Sequence, residues 1–274
     1  MGNAKSTPRN RTGKNVVKQK LEHAQKTNIL SLTEHGLEEI PDQVFELMSL
    51  RTLDLSKNKL TALGPISQLA ELKSLNCEGN LLVTKSLAPI SKLSKLQTLS
   101  VGKNRLDSEA FISLPAKIKQ LKLPHNSLAT IPTQICDAKL KNLEKIDLSF
   151  NNIAAVPAII GNLTSLSDLN LDSNAITSLP REIGRLKKLK SLSLKNNYIS
   201  VKSTNFNDAN PQPLPAELFT ETSLMDLNLH GNKLGSTQLN EFEGFEAFLE
   251  RRKQSKTKAL YGGATTNMSL CGLE

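Results

Sequence analysis

No run of eighteen consecutive apolar residues occurs in the chain, so the sequence predicts no transmembrane helix. The first twenty residues carry charge without an apolar segment after them, and no secretory signal is expected. Cysteine is scarce. Cys77, Cys136 and Cys271 stand singly and provide none of the paired caps that staple secreted repeat proteins. A reducing, cytoplasmic setting is therefore expected, and the sequons at Asn10, Asn162 and Asn267 are expected to stay unmodified. Signatures of chemistry are missing too: there is no G-x-S-x-G, Walker loop or G-x-G-x-x-G. His23, His35, His125 and His230 lie in different parts of the chain without metal-ligand spacing. The sequence predicts no enzyme, no cofactor and no metal.

What is present is one pattern, L-x-x-L-x-L-x-x-N-x-L, copied in frame. Its asparagines are Asn58, Asn80, Asn104, Asn126, Asn151, Asn174, Asn197 and Asn232, and a further copy near the front carries His35 in that slot. The spacing is 22 to 25 residues, apart from one long gap before Asn232. The L-x-L core predicts a short strand whose leucines point to one side. The asparagine amide then serves backbone groups that would otherwise be buried without partners. Ile40-Pro41, Ile131-Pro132, Val156-Pro157 and Leu179-Pro180 end the strand region and begin the return. Cys77 and Val101 replace leucine in the frame with small apolar side chains.

One such unit cannot bury its own leucines, whereas stacked neighbours can. Over roughly residues 28 to 236 the chain resembles the leucine-rich-repeat family. That resemblance implies an α/β solenoid: a horseshoe of about nine repeats with a parallel sheet on its concave side. Its ends need covers. Val17, Leu21 and Ala24 share a helix face and predict an N-terminal capping helix over 15–27. Leu239, Phe242, Phe245 and Leu249 predict a C-terminal one over 237–255. Residues 1–14 then form a disordered basic arm, and 256–274 a flexible tail.

The net charge of +9 is concentrated at the ends. Residues 1–20 hold six basic residues and 251–258 hold five, with no acid in either stretch; the remainder sums to −2. A basic stripe along the body, the mark of a nucleic-acid binder, is missing, and none is expected as a partner. At the front, Met1-Gly2-Asn3-Ala4-Lys5-Ser6 fits the myristoylation signal M-G-x-x-x-[ST], with Gly2 as acceptor. A single myristoyl chain binds bilayers only marginally, with a constant of about 10⁴ M⁻¹. Lys5, Arg9, Arg11 and Lys14 supply the second signal, at roughly 1 kcal/mol each beside an anionic leaflet. Phosphorylation of Ser6 or Thr7 would add negative charge inside this run; membrane association unchanged in phosphate-mimicking variants would contradict such a switch. Cys271-Gly272-Leu273-Glu274 imitates a prenylation box, but Gly272 and Glu274 are unsuited to it.

A rigid sheet offers partners its concave side chains. Alternation places there Asp54, Glu78, Lys122, Lys145, Asp147, Asp168, Asn170, Asp172, Lys195, Asp226, Asn228 and His230. Acids dominate the C-terminal part, so a basic segment of a protein partner is expected. Phe150, just before Asn151, reads equally as an anchor or as packed framework. The interval from Leu189 to Leu224 is 35 residues, and its polar excess around 203–213 is expected to leave as a loop on the return side.

The flanks Leu21-Glu22-His23-Ala24-Gln25-Lys26-Thr27 and Phe242-Glu243-Gly244-Phe245-Glu246-Ala247-Phe248-Leu249 resemble those of small intracellular family members. That resemblance implies a lipid on Gly2. The long basic arm, the insertion near Asn205 and the tail after Leu260 depart from it. The expected function is a monomeric, lipid-anchored, peripheral-membrane interaction scaffold. The alternative is a cytosolic regulatory subunit or adaptor of an enzyme such as a phosphatase or small GTPase.

Overall fold

The computed structural model describes residues 14–109, 113–201, 212–261 and Cys271. Helix α1 (Lys14–Thr27) precedes nine three-residue strands: β1 (Ile29–Ser31), β2 (Thr52–Asp54), β3 (Ser74–Asn76), β4 (Thr98–Ser100), β5 (Gln120–Lys122), β6 (Lys145–Asp147), β7 (Asp168–Asn170), β8 (Ser191–Ser193) and β9 (Asp226–Asn228). They form one parallel sheet in chain order. Every strand contributes its middle residue to one row, Leu30, Leu53, Leu75, Leu99, Leu121, Ile146, Leu169, Leu192 and Leu227. All nine are buried, as are Cys77 and Val101.

Between strands the chain returns through short 3-10 segments, including Asp42–Val44, Thr133–Cys136, Ala158–Asn162 and Arg181–Arg185. Each starts directly after one of the prolines read from the sequence: Pro41, Pro132, Pro157 and Pro180. Proline suits that place because its fixed φ begins the turn and no N–H is wanted there. The buried leucines and isoleucines of strands and returns make one continuous core running from Ala24 to Cys271. At about 1.5–3 kcal/mol for each fully buried aliphatic side chain, stacking accounts for most of the drive to fold.

The asparagines sit where each strand turns outward. Asn151 is typical. Its Oδ1 accepts the N–H of Leu128 in the preceding repeat, and its Nδ2 donates to the carbonyls of Leu123, Leu148 and Ser149. The residue just before the slot has positive φ in every repeat: Glu34, Lys57, Gly79, Lys103, His125, Phe150, Ser173, Asn196 and Gly231. A left-handed residue swings the chain out of the strand, at a cost of about 1–2 kcal/mol where it is not glycine. The asparagine bonds offset that cost.

Both ends are covered by helices. Ala24 of α1 is buried, with Val17 and Leu21 packed beside it. The helix stops at Asn28, whose φ of 60° and N–H bond to the Ala24 carbonyl (2.8 Å) close its last turn. At the other end the single helix expected over 237–255 is two, α3 (Ser236–Asn240) and α4 (Phe245–Tyr261), after the short α2 (Ala216–Thr220). Gly244 separates them. Its φ is 79°, and a Cβ there would lie 2.6 Å from Thr220 Cγ2. Phe219, Phe245 and Phe248 form an aromatic cluster, with Phe219 and Phe245 edge to face at 5.4 Å. Arg251 donates to the carbonyls of Phe219 and Leu224, so one cation of the C-terminal basic run is structural. The reading of 256–274 as a tail also changes: α4 continues to Tyr261, and buried Cys271 accepts the N–H of Leu229 at 2.8 Å. The excess loop falls mostly on 202–211, outside the described residues; its near end holds on at Pro213, whose carbonyl accepts the N–H of Leu179.

Candidate docking surface

The concave face is built in rows, because the parallel register places equivalent side chains of successive repeats side by side. The first strand residues supply Gln120, Lys145, Asp168, Ser191 and Asp226 in its C-terminal half. The third strand residues supply Lys122, Asp147, Asn170, Ser193 and Asn228. Two positions further on come Ser149, Asp172, Lys195 and His230, still joined by backbone bonds such as Phe150 N–H to Asp172 carbonyl (2.8 Å).

A cleft of about 330 Å³ lies over β5–β8. Six of the expected docking residues line it: Lys122, Lys145, Asp147, Asp168, Asn170 and Asp172. Gln120, Ser191 and Ser193 line it as well, and sequence reasoning missed them. They occupy the same frame positions as the residues expected there. The other expected residues lie apart. Asp54 and Glu78 belong to the second and third repeats, and Asp226, Asn228 and His230 to the last. Lys195 borders the cleft through its N–H, which Asp172 Oδ1 accepts at 2.8 Å. Gly2, Lys5, Arg9 and Arg11 are outside the described residues, and Lys14 opens α1.

Asp54, Asp147, Asn170 and Asn228, expected as docking residues, also maintain the fold. Their Oδ1 atoms accept the N–H two residues on, from Ser56, Ser149, Asp172 and His230, at 2.9 to 3.1 Å. Asn76 does the same for Glu78. These Asx turns hold the chain where it leaves the strand, a second and smaller ladder beside that of the asparagines. Glu78 is also paired with Lys103 at 2.8 Å.

Charge across the cleft is uneven. Lys122 and Lys145 stand on its β5–β6 side, and Asp168 and Asp172 beyond them. Lys145 Nζ and Asp168 Oδ2 are 3.7 Å apart and roughly half exposed, a pairing worth no more than about 1 kcal/mol. Such a pair opens easily for an incoming charge. Among the described residues, no three of His, Cys, Asp and Glu gather where a metal could bind, and no helix is long and apolar enough to cross a membrane. The three thiols are buried; burial raises Cys77 well above the usual range and Cys136 and Cys271 to about 12.

Three residues beyond the ends of β5 and β6 lies a feature that sequence reasoning left open. Phe150 is 50% exposed, and its ring stacks on His125 with centroids 4.2 Å apart and planes 8° from parallel. It is not packed framework.

The leucine rich repeat family model matches residues 25–82, 116–176 and 141–199, together more than half of the chain. The chain belongs to the leucine-rich-repeat family. Among solved structures it is similar to a leucine-rich-repeat protein of Leptospira interrogans, with 26% identity and a TM-score of 0.55. The match covers 87% of this chain and 60% of that one, so the chain spans less than two thirds of that relative's length. The unmatched stretch between 82 and 116 still supplies β4, in register with both neighbours. Proteins of this fold generally mediate protein–protein interaction and are typically non-catalytic, and the fold suggests partners on the concave face.

Proposed function

We propose that this protein is a non-catalytic interaction scaffold that holds an extended, basic segment of a protein partner on its concave face and works at an anionic membrane surface. The observation that carries the docking half is the uneven cleft over β5–β8, lined by Asp147, Asp168 and Asp172 together with Lys122 and Lys145. Strand register holds these side chains in place, so a partner loses little by ordering them. The membrane half rests on sequence alone. Gly2 in M-G-x-x-x-S accepts the myristoyl chain, and Lys5, Arg9, Arg11 and Lys14 add the electrostatic attraction a single chain requires. Three such cations would tighten binding on the order of a hundredfold. The flanking segments, which resemble those of leucine-rich repeat-containing protein fifty-seven, favour the same reading.

Proximity labelling in cells separates the two halves. Wild type, Gly2→Ala and the double charge reversal Asp168→Lys/Asp172→Lys are compared. Gly2→Ala should lose membrane neighbours, and the reversal should lose a distinct set of protein neighbours while staying at the membrane. Unchanged location and unchanged neighbours in Gly2→Ala would refute the membrane scaffold and leave a cytosolic adaptor.

A further inference from the structure

Among the nine left-handed positions that end the strands, most hold residues suited to a turn or to solvent: Gly79, Gly231, Asn196, Ser173, Lys57, Lys103 and Glu34. Two successive repeats instead place rings there, His125 at φ 53° and Phe150 at φ 54°. A bulky side chain is disfavoured in this conformation, and phenylalanine also gains little when half its surface stays in water. Glycine or asparagine would serve the fold better. The departure is local, and it falls just beyond two of the strands that line the cleft, where the pair reads as a functional feature.

The pair follows two of the strands that carry the cleft. Gln120 and Lys122 of β5 lead into His125, and Lys145 and Asp147 of β6 lead into Phe150. Phe150 donates its N–H to the carbonyl of Asp172 in the next repeat. The Asp172 carboxylate accepts the Ser193 hydroxyl and the Lys195 N–H, both through Oδ1. A half-exposed phenyl ring, backed on one face by His125, thus rises from backbone bonded to that of Asp172, whose carboxylate is held by Ser193 and Lys195.

We infer that the His125–Phe150 ledge and the Asp172 carboxylate form the anchor point for an arginine side chain of the bound segment. This rests on the concave-face reading above and specifies the chemistry that site selects. A guanidinium is planar and weakly hydrated, so it can lie on the open face of Phe150 while its N–H groups reach a carboxylate. Lysine has the charge without the flat face, and holds its water more firmly. The acids of the cleft favour a cation there, whereas the ledge decides which cation.

The test uses the full chain, isotope-labelled for NMR, and four blocked extended nonapeptides of glycine and serine that differ only at the centre: arginine, lysine, phenylalanine or leucine. The arginine peptide should shift the amides of His125, Phe150 and Asp172 and bind on the order of fivefold more tightly than the lysine peptide, the worth of one cation–π contact. Phe150→Asn should remove that preference without lowering Tm, because asparagine tolerates the left-handed backbone; Phe150→Tyr should keep it. Asp172→Asn should weaken both cationic peptides. Equal binding of the arginine and lysine peptides, tighter binding of the phenylalanine or leucine peptide, or a preference that survives Phe150→Asn would overturn the anchor. In those cases shifts along Lys122, Asp147 and Asn170 would leave concave docking standing. Shifts nowhere on that face would sink both.

Discussion

The side-chain oxygen of Asn58 accepts the backbone N–H of His35 at 3.0 Å and that of Leu37 at the same distance. The bond to Leu37 reaches from the second repeat back to the first, and every later asparagine repeats it. Asn80 serves Leu60, Asn151 serves Leu128 and Asn232 serves Ile199. Each repeat is thus closed by the next, which makes the solenoid directional and the sheet over β5–β8 stiff.

Asn151→Ala should be among the costliest single changes in the chain. It leaves the buried N–H of Leu128 without a partner and removes three carbonyl contacts. A loss of about 3 kcal/mol is expected, given roughly 1–3 for each buried polar group left unsatisfied. Urea unfolding measures it. Asn232→Ala, at the less buried end of the row, should cost visibly less.

His35→Asn should stabilise. The ring donates through Nδ1 to the Thr33 carbonyl at 2.7 Å and leaves its buried Nε2 without a partner. Asparagine in the same slot elsewhere reaches the carbonyl three residues before it, as Asn58 reaches Leu55. A gain of about 1 kcal/mol is expected, from one orphaned atom removed. A fall in the unfolding midpoint would show that the ring is needed for packing against the N-terminal cap.

Gly231→Ala tests the left-handed row. The φ of 75° disfavours any Cβ, and the added atom would lie 2.2 Å from Asn196 Oδ1. The side chain of Asn196 can move, so the backbone sets the cost, about 1–2 kcal/mol by urea unfolding. Phe150→Gly should change stability in the opposite direction.

Buried thiols set an upper pH limit. Burial raises Cys136 and Cys271 from an ordinary 9.0 to about 12. The folded state holds these protons more tightly than the unfolded chain does. Their contribution is therefore complete below about pH 9 and is withdrawn as pH rises toward 12, at about 1.4 kcal/mol per pH unit for each group. Cys136→Ala should flatten the decline of urea midpoints above pH 9, even though it lowers the midpoint at neutral pH through the lost side chain. A decline of unchanged slope would contradict the burial of this thiol.

Much of the fold was legible because the leucine frame states which side of each strand is buried, and the prolines mark where each return begins. The docking face was half legible. Alternation puts Lys145, Asp168 and Asp172 on the face that the cleft occupies, but it cannot show which side chains are held in bonds of the fold, as Asp147 and Asn170 are in Asx turns and Asp172 is by Ser193 and Lys195. Backbone φ leaves little trace in a hydrophobic pattern. Only Gly79 and Gly231 hinted at the left-handed row, and His125 and Phe150, far apart in sequence, gave no sign that their rings meet. Gly244 was read as part of a helix because the apolar spacing continues across it.

Site-specific photo-crosslinking tests the central claim most directly. A photoreactive residue is placed in the cleft at Asp168 or Ser193, and on the return side at exposed Arg185 or Lys188. Irradiation in cells should yield the same discrete protein adducts from the two cleft positions and none of them from the return side. Adducts confined to Arg185 or Lys188 would place the partner on the convex surface and contradict a concave docking face.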